Sequence, residues 1–503
     1  MADMTGVVFP QTEGRRSTSA VGREIVAGAL GGVDPVGSAA ARRETAWRKE
    51  YAVHFRRLVE VGMEDRDAAL TVARQGLEAL HGQMRWVGAS GVDQPLQAGL
   101  DEVGTPLHSA TVDGTAEPER ELTLPYRGRR LRGDELRRRL DQWVRDGVVE
   151  PGVQQAVERV LDHPEWLDLR DQRVVVLGAG AEMGPLRSIL RWGGEVVGID
   201  LPRPDLWRRV LTAAREGAGR LVIPTPDPEA SDARLAERAG ADLLHDLGAV
   251  GRWIDGLEGR LVLGNYVYAD GATNVRVTTA VDALTTHLTA RRDDLALGFL
   301  ATPTDAFVVP ADAVAQATRN YGERSLGRLV RTPLRVGSGG RLLRRQYAPG
   351  EQLAISDSIV EQQGPNYLLA KRVHRWRASV AADDGHVVSM NVAPPTRTRS
   401  VTKNRALAAA YAGAHFFGIE VFEPATSNTL MAALLVDDLR RGEATRGGVG
   451  AGDATDPRGP RDLLLPWQAE ARAAAHGGLW RVAYDPRSAL GIAALLGLGG
   501  ARQ

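Results

Sequence analysis

A cluster of glycines in the middle of the chain could bind a phosphate group, because it directly follows a short apolar run. The glycines are Gly178, Gly180 and Gly184. Glycines in this position let the backbone turn tightly around a pyrophosphate, which then lies at the N-terminus of the next helix. The next apolar run ends in Asp200, whose carboxylate could accept hydrogen bonds from an adenosine ribose, while Arg203 could offset the charge of a 2′-phosphate. This order of features predicts a nucleotide-binding loop, and a similar domain without a cofactor is the alternative.

Lysine is rare in this chain, so each position that carries one is a candidate for a specific role. Only three of the 63 basic residues are lysines, at Lys49, Lys371 and Lys403. Arginine replaces lysine on a solvated surface, but not where a small ammonium with an adjustable pKa is needed. Lys371 follows Tyr367 by one helical turn. Such an ammonium stabilises a phenolate and lowers the tyrosine pKa, so the pair predicts acid–base chemistry. An exposed pair on a helix is the simpler alternative.

A second group of polar side chains follows the apolar run at 261–263. The group consists of Tyr266, Tyr268, Asp270, Asn274 and Arg276. Ligands of α/β sheets bind outside the carboxyl ends of the strands, so these side chains could form the wall of a substrate site or supply the acid and base themselves. A role in a helix cap and turn is the alternative. Thr302 to Asp305 follow another apolar run and could face the same cleft.

Two of these patterns resemble motifs of the short-chain dehydrogenase/reductase family. The loop GAGAEMG is similar to the family's G-x-x-x-G-x-G cofactor loop, with Glu182 in place of the middle glycine. Tyr367 and Lys371 match the family's Tyr-x-x-x-Lys motif. The resemblance implies a nicotinamide cofactor, NAD or NADP, of which Asp200 slightly favours NAD. It also implies that Tyr367 exchanges a proton with the substrate and that Lys371 holds the nicotinamide ribose.

The resemblance, which covers about 172–400, assigns further roles. Ser356 and Ser358 compete for the role of the catalytic serine, and Asn320 stands for the catalytic asparagine. The additional cofactor contacts that it implies are Asp246, Asn265, Asn391 and Pro394. The chain departs from the family by its length, which requires an insertion at about 272–350 or a different strand order.

S-adenosylmethionine-dependent methyltransferases share this layout and provide the alternative function, together with a non-catalytic nucleotide-binding module. Methyltransferases usually carry an acid before the first glycine and a G-x-G-x-G core, whereas Leu177 and Glu182 occupy those places here. Hydride transfer between a nicotinamide and a carbonyl or alcohol substrate fits better. We therefore expect an enzyme, an NAD(P)-dependent dehydrogenase or reductase.

The candidate residues require a sheet that brings the ends of several strands together. Apolar runs alternate with helical patterns from 171 to 440, which predicts an α/β fold with a doubly wound, Rossmann-like parallel sheet as the cofactor and catalytic domain. A mainly helical N-terminal domain is expected at 41–170, because apolar residues recur there at helical spacing. The remaining segments are interpreted as a partly ordered arm at 1–40, a flexible linker at 441–460 and a helical tail at 461–503.

The composition excludes several other functions. The chain has 63 basic and 63 acidic residues, so its net charge is zero, unlike that of most nucleic-acid-binding proteins. It has no cysteine, which excludes disulfides, thiolate nucleophiles and iron–sulfur clusters. Its ten histidines show no ligand-like spacing, so no metal is expected.

The sequence also indicates location and partners. We find neither a signal peptide nor an apolar run that would cross a membrane, so a cytoplasmic location is expected. The expected partner is a small-molecule substrate, and neither a nucleic acid nor a membrane is expected. The helical N-terminal region could cover the cleft or mediate self-association into a homo-oligomer.

Overall fold

The centre of the molecule is a seven-stranded, mostly parallel sheet. The structure is a computed structural model that describes residues 5–227, 231, 233–323, 325–446 and 464–498, without the side chains of 323–330 and 444–446. In spatial order, the six parallel strands are β16 (Val388–Val392), β13 (Ala296–Ala301), β12 (Arg260–Asn265), β9 (Gln172–Leu177), β10 (Glu195–Ile199) and β11 (Arg220–Thr225). An antiparallel strand, β6 (His108–Asp113), completes the edge beside β11.

The strands form from short β-branched runs that are buried on both faces. Val174, Val175, Val176 and Leu177 of β9 are all 0% exposed, as expected for a parallel strand covered on both sides. Numbered along the chain, the parallel strands lie in the order 3-2-1-4-5-6, which is the order of a doubly wound sheet. The direction of winding reverses between β9 and β12, where such sheets bind ligands. The predicted fold class is therefore confirmed.

Two layers of helices cover the sheet. One face packs against α1 (Thr18–Leu30), α3 (Trp47–Glu60), α4 (Arg66–Gln83), α11 (Leu247–Asp255), α12 (Ala272–Thr289) and α15 (Gly364–Asp383). The other face packs against α6 (Gly133–Asp146), α7 (Pro151–Asp162), α8 (Leu186–Arg191), α9 (Pro204–Arg215) and α18 (Pro424–Arg446). The helical N-terminal region, α1 to α4, is thus part of the layer that also contains α12 and α15.

Smaller elements surround these layers. The strands β1 (Gly6–Val8), β4 (Arg85–Val87) and β5 (Gln94–Pro95) form a three-stranded sheet, and the strand pairs are β2 (Gln11–Thr12) with β3 (Arg15–Arg16), β7 (Leu124–Tyr126) with β8 (Arg129–Leu131), and β14 (Ala306–Val309) with β15 (Ala354–Asp357). The other α-helices are α2 (Pro35–Arg43), α5 (Gln97–Asp101), α10 (Leu235–Arg238), α13 (Ala311–Glu323), α14 (Ser325–Gly337), α16 (Arg399–Lys403), α17 (Arg405–Gly413), α19 (Pro466–Arg472) and α20 (Pro486–Gly497). Short 3₁₀ turns occur at Pro164–Leu167, Glu361–Gln363 and Ala414–Phe417.

The N-terminal segment differs from the partly ordered arm that we expected at 1–40. It contains α1, which begins at an N-cap provided by Ser17, and most of α2. Ile25, Val26 and Leu30 of α1 are 0% exposed in the main core, because they recur at helical spacing and face α4. Residues 6–8 add the strand β1.

The extra length of the chain also lies elsewhere than expected. The predicted insertion at 272–350 begins within α12, which is the ordinary crossover helix between β12 and β13. The additional chain follows β13 instead, where α13, α14 and the strand pair β14–β15 precede α15. The predicted linker at 441–460 starts within α18, and its positions 447–460 lie outside the described residues. Within the described part of the chain, no helix is both long and apolar enough to cross a membrane.

Candidate functional site

Five loops meet at the carboxyl edge of the sheet, because the strands that precede them are parallel. The loops are 178–185 after β9, 200–203 after β10, 266–271 after β12, 302–305 after β13 and 393–398 after β16. The helix α15, which leads from the additional chain to β16, begins at this edge and carries Tyr367 and Lys371. The fold therefore brings the predicted acid–base pair to the place where doubly wound sheets bind ligands.

Tyr367 lies at the start of a chain of hydrogen-bonded side chains. Its hydroxyl donates to Thr302 Oγ1 at 3.1 Å, and Thr302 Oγ1 is 2.9 Å from Thr304 Oγ1. Thr304 in turn donates to Gln363 Oε1 at 2.8 Å. Since Thr304 uses its hydrogen for Gln363, the hydrogen between the two threonines comes from Thr302. The four side chains thus form one directed chain, and burial raises the pKa of Tyr367.

Lys371 lies one turn further along α15, partly buried. Among the described residues its ammonium has no hydrogen-bond acceptor and no carboxylate partner, and burial lowers its pKa from 10.5 to about 8. His374, on the next turn, is 1% exposed, and neither ring nitrogen has a partner. Burial and the charge of Lys371 keep the pKa of His374 well below its usual range. An unpaired ammonium and an unpaired imidazole thus lie together behind Tyr367. We refer to Thr302, Thr304, Tyr367 and Lys371 as the Tyr367 cluster.

The loop after β12 contributes one wall of the site. The ring of Tyr268 packs edge-to-face on Tyr367, with the ring centroids 6.2 Å apart, and its hydroxyl donates to Asp270 Oδ1 at 2.8 Å. Tyr268 is 49% exposed, so part of its ring is open to solvent beside Tyr367. Of the five residues predicted for the substrate wall, the structure brings these two to the Tyr367 cluster.

The other three predicted wall residues have packing roles. The ring of Tyr266 fills the space above Gly264, where a Cβ atom would collide with it. Asn274 Oδ1 accepts a hydrogen bond from the backbone N–H of Ala269 at 3.1 Å and so closes the turn before α12. Arg276 donates to the carbonyl oxygens of Thr5 and Val7, which fixes the N-terminal strand to α12. Each of these side chains packs or forms hydrogen bonds within the fold, so the structure does not support the prediction that they line the cleft.

The glycine loop is held mainly by its own hydrogen bonds. Gly178 has a φ of +90°, and a Cβ atom there would lie 2.9 Å from the carbonyl oxygen of Tyr266, so only glycine fits this turn. The N–H of Gly180 donates to Asp200 Oδ2 at 2.8 Å, and the N–H of Leu201 donates to Asp200 Oδ1 at 2.8 Å. Burial raises the pKa of Asp200 despite these two bonds. The carboxylate therefore organises the loop while it lies at the edge where a ribose would bind.

Glu182 bridges the glycine loop to the loop after β16. Its Oε2 accepts a hydrogen bond from the backbone N–H of Arg399 at 2.8 Å, and its Oε1 lies 3.4 Å from Arg399 Nε. A carboxylate therefore occupies the space between two loops that border the cleft. The helix that follows, α8, has only six residues and Pro185 at its N-cap, so its N-terminus offers few free N–H groups to an anion.

The nicotinamide nucleotide that the resemblance implies would meet a carboxylate at one end of this edge and an ammonium at the other. Asp200 lies at the end of β10, where its carboxylate retains lone pairs for ribose hydroxyls. Lys371 supplies an ammonium without a partner at the other end. Glu182 conflicts with a phosphate in its present rotamer, and its side chain, which is 30% exposed, would have to leave the N–H of Arg399 to turn toward solvent. The predicted contact Arg203 is exposed and paired with Asp205 at 3.0 Å.

The two serines that we predicted as catalytic lie outside the main sheet. Ser356 belongs to β15, which pairs only with β14 in the described part of the chain, and it is 0% exposed. Ser358 follows that strand and lies 3.4 Å from Ser356, between the two hydroxyl oxygens. The prediction took this apolar run for the strand before α15, but β13 is the neighbouring strand in the sheet. Thr302, the first residue after β13, supplies the hydroxyl that contacts Tyr367.

The remaining predicted contacts are separated from the cluster. Asn320, on α13, donates to the carbonyl oxygen of Arg481 at 2.7 Å and so ties α13 to the C-terminal segment. Asp246 lies at the N-terminus of α11, where it accepts a hydrogen bond from the N–H of Asp242 at 2.8 Å. Asn391 donates to Asp438 Oδ2 of α18 at 3.0 Å, on the opposite face of β16 from α15. These roles follow from tertiary contacts that no local motif shows.

Two predicted positions do lie at the carboxyl edge. Asn265 ends β12 and is 4% exposed, with Oδ1 3.4 Å from the N–H of Val267. Pro394 belongs to the loop after β16, where its carbonyl oxygen accepts a hydrogen bond from Thr396 at 2.8 Å. Both residues border the cleft because one ends a parallel strand and the other lies in a loop at the carboxyl edge of the sheet.

A buried ion network fixes the loop that carries Thr302. Asp305 is 0% exposed and accepts hydrogen bonds from Arg372 at 2.6 Å and from Arg375 at 2.7 Å. Arg375 also forms a bidentate pair with Glu470 of α19, with both distances 2.7 Å. The network joins the loop after β13, the helix α15 and the C-terminal segment. These ion pairs thereby hold Thr302 next to Tyr367. No pattern in the sequence indicated this network.

Comparison with known proteins adds no relative: no family model, no curated protein and no solved structure matches the chain.

Proposed function

We propose that the chain is an NAD(P)-dependent oxidoreductase that transfers hydride between a nicotinamide and a carbonyl or alcohol substrate. The observation that carries the proposal is the contact between Tyr367 and Thr302. It joins α15, the helix before the sixth parallel strand, to the end of the fifth parallel strand, β13, beside an unpaired lysine. This arrangement supports proton transfer to a substrate oxygen that both hydroxyl groups can reach.

Tyr367 is the acid and base in this proposal. In the reduction, its hydroxyl leaves Thr302 and donates its proton to the substrate oxygen, while Thr302 Oγ1–H turns toward the same oxygen and polarises it. The nicotinamide supplies the hydride when it is bound. In the reverse direction the phenolate accepts the proton, so the pKa of Tyr367 decides the pH at which the enzyme oxidises alcohols.

Lys371 provides the positive charge that this chemistry requires. Burial raises the pKa of Tyr367, which opposes its use as a base. The ammonium one helical turn away has no carboxylate partner among the described residues, and at this spacing it would favour the phenolate. With a pKa of about 8, Lys371 is mostly charged at pH 7.

The test replaces the tyrosine hydroxyl alone. We expect Tyr367→Phe to lower turnover of NADH or NADPH by about 10²–10⁴-fold, the usual contribution of a positioned acid or base. The affinity for the reduced nucleotide should stay within about twofold, because the ring remains. The matched control is Tyr347→Phe, since Tyr347 is also buried and donates a hydrogen bond, to the carbonyl oxygen of Trp480 at 2.7 Å. Activity in Tyr367→Phe equal to that of the control would refute the role of Tyr367.

A further inference from the structure

An apolar cavity adjoins the Tyr367 cluster on the side of the C-terminal segment. It is lined almost entirely by apolar side chains. Thr304 belongs both to the lining of the cavity and to the hydrogen-bonded chain that starts at Tyr367. The cavity therefore adjoins the hydrogen-bonded chain whose first two hydroxyl groups would contact the reacting oxygen of the proposed substrate.

Two helices form one rigid wall of the cavity. A Cβ atom at Gly413 of α17 would collide with the carbonyl oxygen of Ala493 of α20, and one at Gly497 would collide with that of Ala409. The two helices are thus in backbone contact and act as a unit. The facing wall is apolar as well and includes Ile359, Val360, Leu479 and Val482.

The few polar groups of the lining leave no free charge for a ligand. The hydroxyl groups are those of Thr304, Ser358, Tyr411 and Tyr484. The one charged residue of the lining is Arg487, which is paired with Asp357 at 3.2 Å and with Glu361. A ligand with a phosphate, carboxylate or ammonium in this space would lose its hydration without a counter-charge, which is strongly unfavourable. The occupant that fits is uncharged.

We propose that the substrate carries its carbonyl or hydroxyl group on an uncharged aliphatic chain, which enters this cavity. The reacting oxygen lies at the Tyr367 cluster and the aliphatic chain extends along α17 and α20. This inference rests on the proposed function for the chemistry at the oxygen, but the binding of the aliphatic chain is independent of it.

The test measures binding without a cofactor and without turnover. The probe is N-phenyl-1-naphthylamine, a neutral compound that fluoresces in apolar surroundings, added to the full-length protein and displaced with decan-2-one or butan-2-one. Each methylene that enters the cavity should raise the affinity roughly fourfold. We expect decan-2-one to displace the probe at a concentration at least about a hundredfold lower than butan-2-one. Equal potency of the two ketones, or no binding of the probe, would overturn the proposal.

A pair of leucines of α20 provides the matched variants. Leu490 lines the cavity, whereas Leu496 is 48% exposed and does not. Leu490→Trp should lower the affinity for the probe at least about tenfold by filling the cavity, and Leu496→Trp should leave it unchanged. Equal affinities would mean that the probe binds elsewhere and would overturn the proposal. The ketone comparison uses the wild type, so it holds even if Leu490→Trp does not fold.

Turnover separates the failure of this inference from that of the proposed function. Selective displacement by decan-2-one, without oxidation of NADH or NADPH in its presence, would support the apolar site and overturn the oxidoreductase. Turnover of butan-2-one as efficient as that of decan-2-one would support the oxidoreductase and overturn the assignment of the cavity.

Discussion

The unpaired ammonium of Lys371 should lower the stability of the folded protein at neutral pH. Burial shifts its pKa from 10.5 to about 8, and no carboxylate among the described residues compensates the charge. One pKa unit corresponds to about 1.4 kcal/mol. The charged lysine therefore costs the folded state roughly 2–4 kcal/mol at pH 7.

Lys371→Met removes this charge while keeping an unbranched side chain of similar length. We expect the free energy of unfolding at pH 7 to rise by roughly 1–3 kcal/mol, although activity should be lost. The gain depends on pH in a defined direction. Below pH 8 the folded wild type carries the full cost. Between pH 8 and 10.5 the unfolded chain binds more protons than the folded one, so the wild type becomes more stable as the pH rises. The advantage of the variant should therefore shrink over this interval.

Urea unfolding followed by circular dichroism at pH 7 and pH 9.5 measures this effect. Lys403→Met is the control, because Lys403 is exposed on α16 and no change of stability is expected. The reasoning would be refuted if Lys371→Met destabilised the protein at pH 7, since that would mean that the ammonium has a stabilising partner. An equal gain at both pH values would also refute it, because the gain would then have no connection with the charge.

Three further substitutions test how the site is held. Asp305→Asn should lower the free energy of unfolding by about 3–5 kcal/mol in urea titrations, because it leaves two buried arginines without their shared carboxylate; a loss below about 1 kcal/mol would contradict this. Asp200→Ala should weaken NADH binding about tenfold or more in isothermal titration, since the loop loses its bond from the N–H of Gly180; an unchanged dissociation constant would argue against a ribose at this position. Glu182→Gln should raise the affinity for NADH at least about threefold with little change in stability, because its pair with Arg399 is partly exposed; weaker binding would contradict a phosphate beside this residue.

The parallel sheet was predictable because its strands are buried on both faces. Runs such as 173–177 and 295–300 are continuous and apolar, and they alternate with helices, so the doubly wound α/β class follows from the sequence. The pairing of β6 with β11 was not predictable, because His108–Asp113 is a half-exposed edge strand with few apolar residues. The arm at 1–40 was underestimated for a related reason: small residues dominate α1, and its burial depends on the distant helix α4.

The candidate site was predictable where residues act locally along one helix. Tyr367 and Lys371 are one turn apart, so their proximity follows from helical geometry. The hydroxyl partner was assigned to Ser356 or Ser358 because both are near Tyr367 in sequence and follow an apolar run. Thr302 is 65 positions away; its place after an apolar run predicted that it could face the cleft, and the pairing of β13 with β12 and β16 brings it to Tyr367. The spacing of Tyr367 and Lys371 therefore predicted where the candidate site lies. The contact between Tyr367 and Thr302 is visible only in the three-dimensional fold.

The measurement that tests the central claim most directly is a titration of the protein with NADH, NADPH and S-adenosylmethionine, followed by energy transfer from tryptophan and by thermal shift. The chain has ten tryptophans, so a bound reduced nicotinamide should quench their emission. We predict saturable binding of NADH or NADPH, with a rise in melting temperature, and no binding of S-adenosylmethionine. Binding of S-adenosylmethionine alone would indicate a methyltransferase, and binding of none of the three would indicate a sheet without a nucleotide site; either result would contradict the assignment of Tyr367 and Lys371 to hydride chemistry.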